Sequence, residues 1–147
     1  MHLARIILIA VALGAFSAVA AAAGPAPTVV TPDSGNWQPV PQFKGWQMAP
    51  IVGNPDKAGA YYAYFLKAPA GGKAPPHYHK MTENVTVISG TIMFGVGDTM
   101  NEAAMKSFGP GTVASVPGGL HHYAMAKTDM VIEVSGIGPD TTTFVHK

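Results

Sequence analysis

Two histidines, one residue apart, stand at the start of an apolar segment and are followed by a glutamate. They are His77, His79 and Glu83 in the stretch PPHYHKMTENVTVISG. Side chains two residues apart on a strand project to the same face, so both imidazoles point one way, toward an interior or toward solvent. Pro75 and Pro76 suit the first residues of that strand rather than its middle. Glu83 follows a bend and can return toward the same point, which is typical of a metal site.

A second pair of histidines, His121 and His122, follows the sequence VPGG, which predicts a tight turn leading into another strand. Neighbouring residues of a strand face opposite sides of its sheet, so only one of this pair can join the first cluster. The chain has no cysteine, which excludes thiolate chemistry and cysteine-ligated metals. Any metal site must therefore be built from histidine and carboxylate side chains.

The elements that position these residues follow an N-terminal segment with the composition of a secretory signal peptide, residues 1–23. A basic residue, Arg5, precedes an apolar run, and small residues end the segment, with cleavage expected between Ala20 and Ala23. We therefore expect a periplasmic or secreted protein that has no membrane segment after cleavage. A retained membrane anchor is the alternative, which the alanine-rich second half of the segment disfavours.

Without this leader the chain is close to neutral. Arg5 is the single arginine of the chain, and the remaining eight lysines balance eight acidic residues. A near-zero charge without arginine argues against nucleic acid and anionic lipid as partners. The length of 147 residues predicts one domain, and a hydrophobic content of 48% excludes a disordered chain.

Residues 24–36 are predicted to be an extended linker, because this stretch is rich in proline and turn formers. In residues 37–147, short β-branched or aromatic runs are separated by glycine and proline about every ten residues, which predicts an all-β sandwich or barrel. A short helical turn is predicted over Asn101–Phe108, capped by Asp98 or Thr99. The predicted strands are Trp46–Val52, Tyr61–Lys67, Asn84–Ser89, Thr91–Val96, Thr112–Val116, His122–Ala126, Met130–Ser135 and Thr142–Val145.

The two histidine segments resemble the two motifs of the cupin superfamily. The first motif is matched at full spacing by Gly71, His77, His79, Glu83 and Gly90. The second motif is matched by Gly111, Pro117, Gly119 and His122. The resemblance covers the chain from about Trp46 onward and implies an all-β fold, a single-domain jelly-roll barrel over 37–147. Cupins often have asparagine where this chain has Ala126, but that position is not a ligand.

The resemblance implies that His77, His79, Glu83 and His122 bind one divalent metal ion, while His121 points away. Three neutral imidazoles and one carboxylate suit Fe, Mn, Zn, Cu, Ni or Co better than Ca or Mg, which prefer oxygen ligands. Four protein ligands leave one or two positions for a substrate oxygen, water or dioxygen. Glu83 has two candidate roles, a metal ligand and a catalytic base.

Two functions are compatible with these residues. The first is an exported metal-dependent enzyme, dioxygenase-like, acting on a small oxygenated organic molecule. The second is a non-catalytic module that binds or senses a metal or a small molecule, since small cupins also occur in such roles. A sealed cavity would indicate the second function. By analogy with other cupins, a homodimer could form through sheet edges.

Overall fold

A computed structural model describes residues 24–145, which form two antiparallel β-sheets around one hydrophobic core. The predicted signal peptide, residues 1–23, lies outside the described residues. Two short 3-10 turns occur at Pro32–Ser34 and Glu102–Ala104. The strands are β1 (Gln38–Pro39), β2 (Gln47–Gly53), β3 (Tyr61–Ala68), β4 (Lys73–His79), β5 (Glu83–Ser89), β6 (Ile92–Val96), β7 (Lys106–Phe108), β8 (Val113–Val116), β9 (His122–Ala126), β10 (Met130–Ile137) and β11 (Thr142–Phe144). Within residues 24–145, no helix has the length and apolar character needed to cross a membrane.

One sheet has six strands in the order β1-β2-β3-β10-β5-β8, and the other has five in the order β11-β4-β9-β6-β7. Several neighbouring strands, such as β3 with β10 and β4 with β9, are distant along the chain, as in a jelly roll. The predicted all-β jelly-roll architecture is therefore present, but the two sheets are not closed into a barrel. The edge strands β1, β7 and β11 are only two or three residues long, which leaves few backbone groups for pairing across the edges.

The eight predicted strands are all present, with ends that shift by at most two residues. The prediction that Pro75 and Pro76 begin a strand was wrong, because β4 starts earlier, at Lys73. The pairing of β4 with β9 shifts register between Ala74 and His77, where the two prolines lie. A bulge tolerates proline because the missing N–H is not needed for the strand pairing there.

The predicted helical turn over Asn101–Phe108 was also wrong in its second half. Only Glu102–Ala104 forms a 3-10 turn, and its N-cap is Asn101 rather than Asp98 or Thr99. The remainder forms β7, which pairs with β6 and places Phe108 against the core. Pairing with a neighbouring strand thus overrides the local helical preference.

The strand register brings the predicted site residues to one end of the sandwich. Strands β4 and β9 pair so that His77 lies opposite His122. The turn before β9 is fixed by a hydrogen bond of 2.8 Å from the Gly119 N–H to the His79 carbonyl, and Gly119 has a φ of 80°, which favours glycine. On the other sheet, Glu83 is the first residue of β5. The two histidine segments are thereby joined by backbone contacts.

Candidate metal centre

Three histidines converge on the inner face of the five-stranded sheet. His77 and His79 of β4 and His122 of β9 each offer a ring nitrogen, and these nitrogens lie within 4.8 Å of one another. The ring centroids of His77 and His122 are 4.3 Å apart, and those of His79 and His122 are 5.3 Å apart. All three side chains are buried, with 3–7% of each residue exposed. This triad of imidazoles could hold one divalent metal ion.

Backbone contacts determine which ring nitrogen of two of these histidines faces the cavity. Nδ1 of His77 donates to the carbonyl of Pro75 at 2.6 Å, and Nδ1 of His122 donates to the carbonyl of Leu120 at 2.9 Å. Because a carbonyl oxygen can only accept, each Nδ1 carries the hydrogen. In the neutral ring Nε2 then keeps its lone pair, which is the arrangement of a metal-binding imidazole. The donor set therefore fits a metal ion.

The third histidine faces a carboxylate that the sequence reasoning missed. Oδ1 of Asp140 lies 3.4 Å from Nδ1 of His79, and neither atom has a hydrogen-bond partner among the described residues. The other oxygen, Oδ2, accepts a hydrogen bond of 2.6 Å from the hydroxyl of Tyr64. A carboxylate behind a metal-binding histidine orients the ring and raises its basicity. No local pattern marks Asp140 as part of the site, because it lies between β10 and β11, outside both histidine segments.

Glu83 approaches the histidines from the six-stranded sheet. Its Oε2 lies 3.5 Å from Nε2 of His79, whereas Asp140 approaches Nδ1 of the same ring. Glu83, His79 and Asp140 form a second group whose ligand atoms lie within 4.8 Å of one another. The structure thus places Glu83 next to the histidine triad, and its role as a fourth ligand stays a prediction.

Burial controls the protonation of the site in the absence of a metal. It lowers the pKa of His77 to about 4 and raises the pKa of Glu83 to about 7. Burial also lowers the pKa of His122. For His79, burial acts to lower the pKa, but the contacts with Asp140 and Glu83 outweigh it and the pKa is raised. At neutral pH, His77 and His122 are therefore ready to bind a cation without losing a proton.

His121 points away from the other three histidines. Its Nδ1 lies 2.6 Å from Oδ1 of Asp98, and its ring stacks on Tyr78 with centroids 4.9 Å apart. The side chain is 38% exposed, on the outer face of the sheet. This follows from strand geometry, since His122 next to it points inward. His121 is therefore a suitable control position for experiments on the triad.

The candidate metal centre forms one end of a cavity of about 530 Å³ between the two sheets. Polar groups at this end include the three histidines, Glu83, Asp140 and Tyr64, and most of the remaining wall is apolar. The wall also includes Val113, which is 69% exposed, so the cavity extends to the protein surface. The cavity is therefore not sealed, whereas a sealed cavity would have indicated a non-catalytic module.

The cupin family model matches residues 55–144, which is more than half of the chain, so the chain belongs to the cupin family. No curated protein matches the sequence. Solved structures match over most of the chain at low sequence identity, and this likeness shows the fold alone.

One similar structure is the polyketide cyclase RemF from Streptomyces resistomycificus, with 18% identity, a TM-score of 0.66 and coverage of 83% of this chain and 87% of that chain. Another is a candidate acetylacetone dioxygenase from Methylibium petroleiphilum PM1, with 18% identity, a TM-score of 0.61 and 84% of each chain covered. A third is KdgF from Halomonas sp., with 22% identity, a TM-score of 0.56 and coverage of 74% of this chain and 93% of that chain.

His77→Ala and His122→Ala are each expected to lower the metal content and to make the thermal unfolding temperature insensitive to a chelator. A bound metal stabilises only the folded state, by about 2.7 kcal/mol when its free concentration is 100 times Kd. Elemental analysis and unfolding curves with and without chelator measure both effects. The matched control, His121→Ala, should retain the metal and the response to chelator. Wild-type metal content in both triad variants would contradict the assignment.

Asp140→Asn should weaken metal binding by about 10- to 100-fold, because an amide is a poorer partner for the N–H of His79 than a carboxylate. Tyr64→Phe should weaken it less, since it removes only the hydroxyl that holds Asp140. Tyr62→Phe is the control, because Tyr62 stacks on Tyr64 at 5.6 Å and the variant loses a hydroxyl next to the same site. Competition with a chromogenic chelator gives the three dissociation constants. Equal dissociation constants for Asp140→Asn and Tyr62→Phe would refute the role of Asp140 in positioning His79.

Metal uptake should release more protons at pH 6 than at pH 8. With a pKa of about 7, the carboxyl group of Glu83 is protonated at pH 6 and ionised at pH 8 in the metal-free protein. Metal binding favours the ionised form, so the proton leaves at the lower pH. Glu83→Gln should release about one proton fewer at pH 6 and the same number at pH 8. Titration calorimetry in buffers with different ionisation enthalpies counts these protons, and identical release by both proteins at pH 6 would disprove the raised pKa.

Proposed function

We propose that the chain is an exported, metal-dependent cupin enzyme with dioxygenase-like chemistry, acting on a small oxygenated organic molecule. The observation that carries this proposal is the histidine triad in the wall of a cavity that extends to the surface. A metal held there would have positions that a ligand from solvent can reach. The same observation argues against the alternative, a closed module in which the metal only stabilises the fold.

The metal would be held by His77, His79 and His122, with Glu83 as the fourth ligand. This donor set suits a divalent transition metal, among Fe, Mn, Zn, Cu, Ni and Co. When bound, such an ion would polarise a coordinated substrate oxygen and, if redox-active, support chemistry with dioxygen. Outside the cytoplasm, intrinsic affinity favours Cu and Zn over Mn and Fe, so the metal found in a preparation need not be the working ion.

Glu83 is the residue placed to move a proton. Its side chain is buried at the wall of the cavity, next to the histidine triad. Metal binding would keep its carboxyl group ionised, and a carboxylate at that position can accept a proton from a substrate hydroxyl and return it. Asp140 and Tyr64 would keep His79 in place while this transfer occurs. The apolar remainder of the wall would limit the entry of water.

Export and homodimer formation complete the proposal. Export is supported by the composition of residues 1–23, with a basic start, an apolar run and a small-residue end. The absence of cysteine is compatible with an oxidising compartment, since the fold needs no disulfide there. A homodimer would use a sheet edge, and β1 with β2 is the edge nearest the N-terminus.

The enzyme proposal is tested by loading the metal-free protein with each of the six metals and measuring dioxygen consumption. Catechol and a hydroxyketone serve as substrates, because both present adjacent oxygens to a metal. We expect consumption with at least one redox-active metal and its loss in His77→Ala, with His121→Ala as the control. A cobalt-substituted sample should also change its visible spectrum when catechol is added. No consumption with any metal would overturn the dioxygenase chemistry, and an unchanged cobalt spectrum would support the closed module.

A further inference from the structure

The strand register arranges the cavity wall in rows that begin at the histidine triad. In the five-stranded sheet, His77 and His122 face each other across β4 and β9. Two residues further along β9 is Ala124, which lies opposite Phe94 of β6, and the next inward position of β6 is Ile92. Inward-facing residues recur about every 6.6 Å along a strand. Beyond the histidines, this side of the wall is therefore apolar for two rows, or about 13 Å.

The facing sheet repeats the same order of polarity. Glu83 is the first residue of β5, and Val85 and Val87 occupy the next two inward positions. The neighbouring strand β10 contributes Val134 opposite Val85 and Ile132 opposite Val87. Both sheets thus place their polar side chains in the row nearest the triad and apolar side chains in the rows beyond it. In the strand rows a ligand would therefore meet the histidines and a metal at one end only, and the neutral polar residues Gln42 and Thr112 line other parts of the cavity.

The charged groups of the wall all have one sign. The cavity is lined by Glu83, Asp140 and Asp56, and no lysine or arginine lines it in residues 24–145. A divalent metal with three neutral imidazoles and Glu83 carries a net charge of +1, which the neighbouring Asp140 offsets. A negative group on the body of a ligand would therefore leave water without a counter-charge, which is strongly unfavourable.

From this separation of polar and apolar rows we infer that the site selects uncharged molecules with a ring-sized apolar body and one chelating, oxygen-bearing end. The inference rests on the proposed function, in which the oxygens reach a metal at the triad. The apolar rows receive the body, and a volume of about 530 Å³ leaves room for more than one ring beyond the chelating end. Nucleotide sugars, phosphorylated compounds and other molecules whose negative group would lie on the body are disfavoured as substrates, because the apolar rows offer that group no partner.

Four catechols with the same chelating end test the inference on the cobalt-substituted protein. 2,3-Dihydroxynaphthalene should bind at least tenfold more tightly than catechol, because its second ring enters the apolar rows. Methyl 3,4-dihydroxybenzoate should bind at least tenfold more tightly than 3,4-dihydroxybenzoate, which differs from it mainly in charge. The dissociation constants come from titrations of the visible spectrum. If the carboxylate binds as well as its ester, or naphthalenediol no better than catechol, the inference is overturned while access to the metal stands. If no catechol changes the spectrum, the proposed function itself fails.

A cation introduced into the wall should reverse the discrimination by charge. Phe108→Lys places an amine on the cavity side of β7, at a partly buried edge position. It should strengthen binding of 3,4-dihydroxybenzoate at least tenfold relative to the methyl ester. Ser107→Lys is the control, because Ser107 is exposed and its side chain faces the opposite side of the strand from Phe108. This variant should change the dissociation constant of neither the acid nor the ester. If Phe108→Lys does not fold, Val113→Lys tests the same point at an exposed residue of the wall. An unchanged preference in the folded variant would contradict the inference.

Discussion

Three imidazoles enclosed between two apolar sheets are the constraint on which the rest of the structure depends. A buried polar atom without a partner destabilises a fold, and two of the three rings are hydrogen-bonded within the protein. His77 and His122 donate from Nδ1 to carbonyls two residues earlier in the chain, and Nδ1 of His79 faces Asp140. In the two backbone-bonded rings these contacts leave Nε2 free on the cavity side. For His77 and His122, the hydrogen bonds of Nδ1 therefore both stabilise the buried ring and prepare it to bind a metal.

Strand periodicity explains which features of this arrangement can be predicted from the sequence. A period of two places His77 and His79 on one face, and it also separates His122 from His121. The glycines of both motifs mark the turns, and Gly90 shows why one of them cannot be replaced: its φ is 74° and a side chain would collide with the carbonyl of Asp129. Local rules therefore suffice for the strands and for the direction of the histidines.

Features that depend on contacts between distant segments could not be predicted in this way. Asp140 reaches the site because Tyr64, 76 residues earlier, holds its carboxylate, and nothing near Asp140 in the sequence encodes that contact. Phe108 joins a strand because β6 is beside it, although its own segment favours a helical turn. Closure of a barrel likewise depends on how the edges of two sheets meet. These are tertiary outcomes, which composition and spacing constrain only weakly.

The cavity affects both the choice of ligand and the stability of the fold. Leu66, Val87 and Ile132 belong to the hydrophobic core and also line the cavity, so each lacks close neighbours on one side. Side chains that face a void lose dispersion contacts that a filled core would supply. The chain has no disulfide to offset this loss. An apolar body in the cavity would restore those contacts, and a ligand that binds only the folded state also stabilises it. The apolar rows that weaken the empty core are thus the same rows that favour one chemical class of ligand over another.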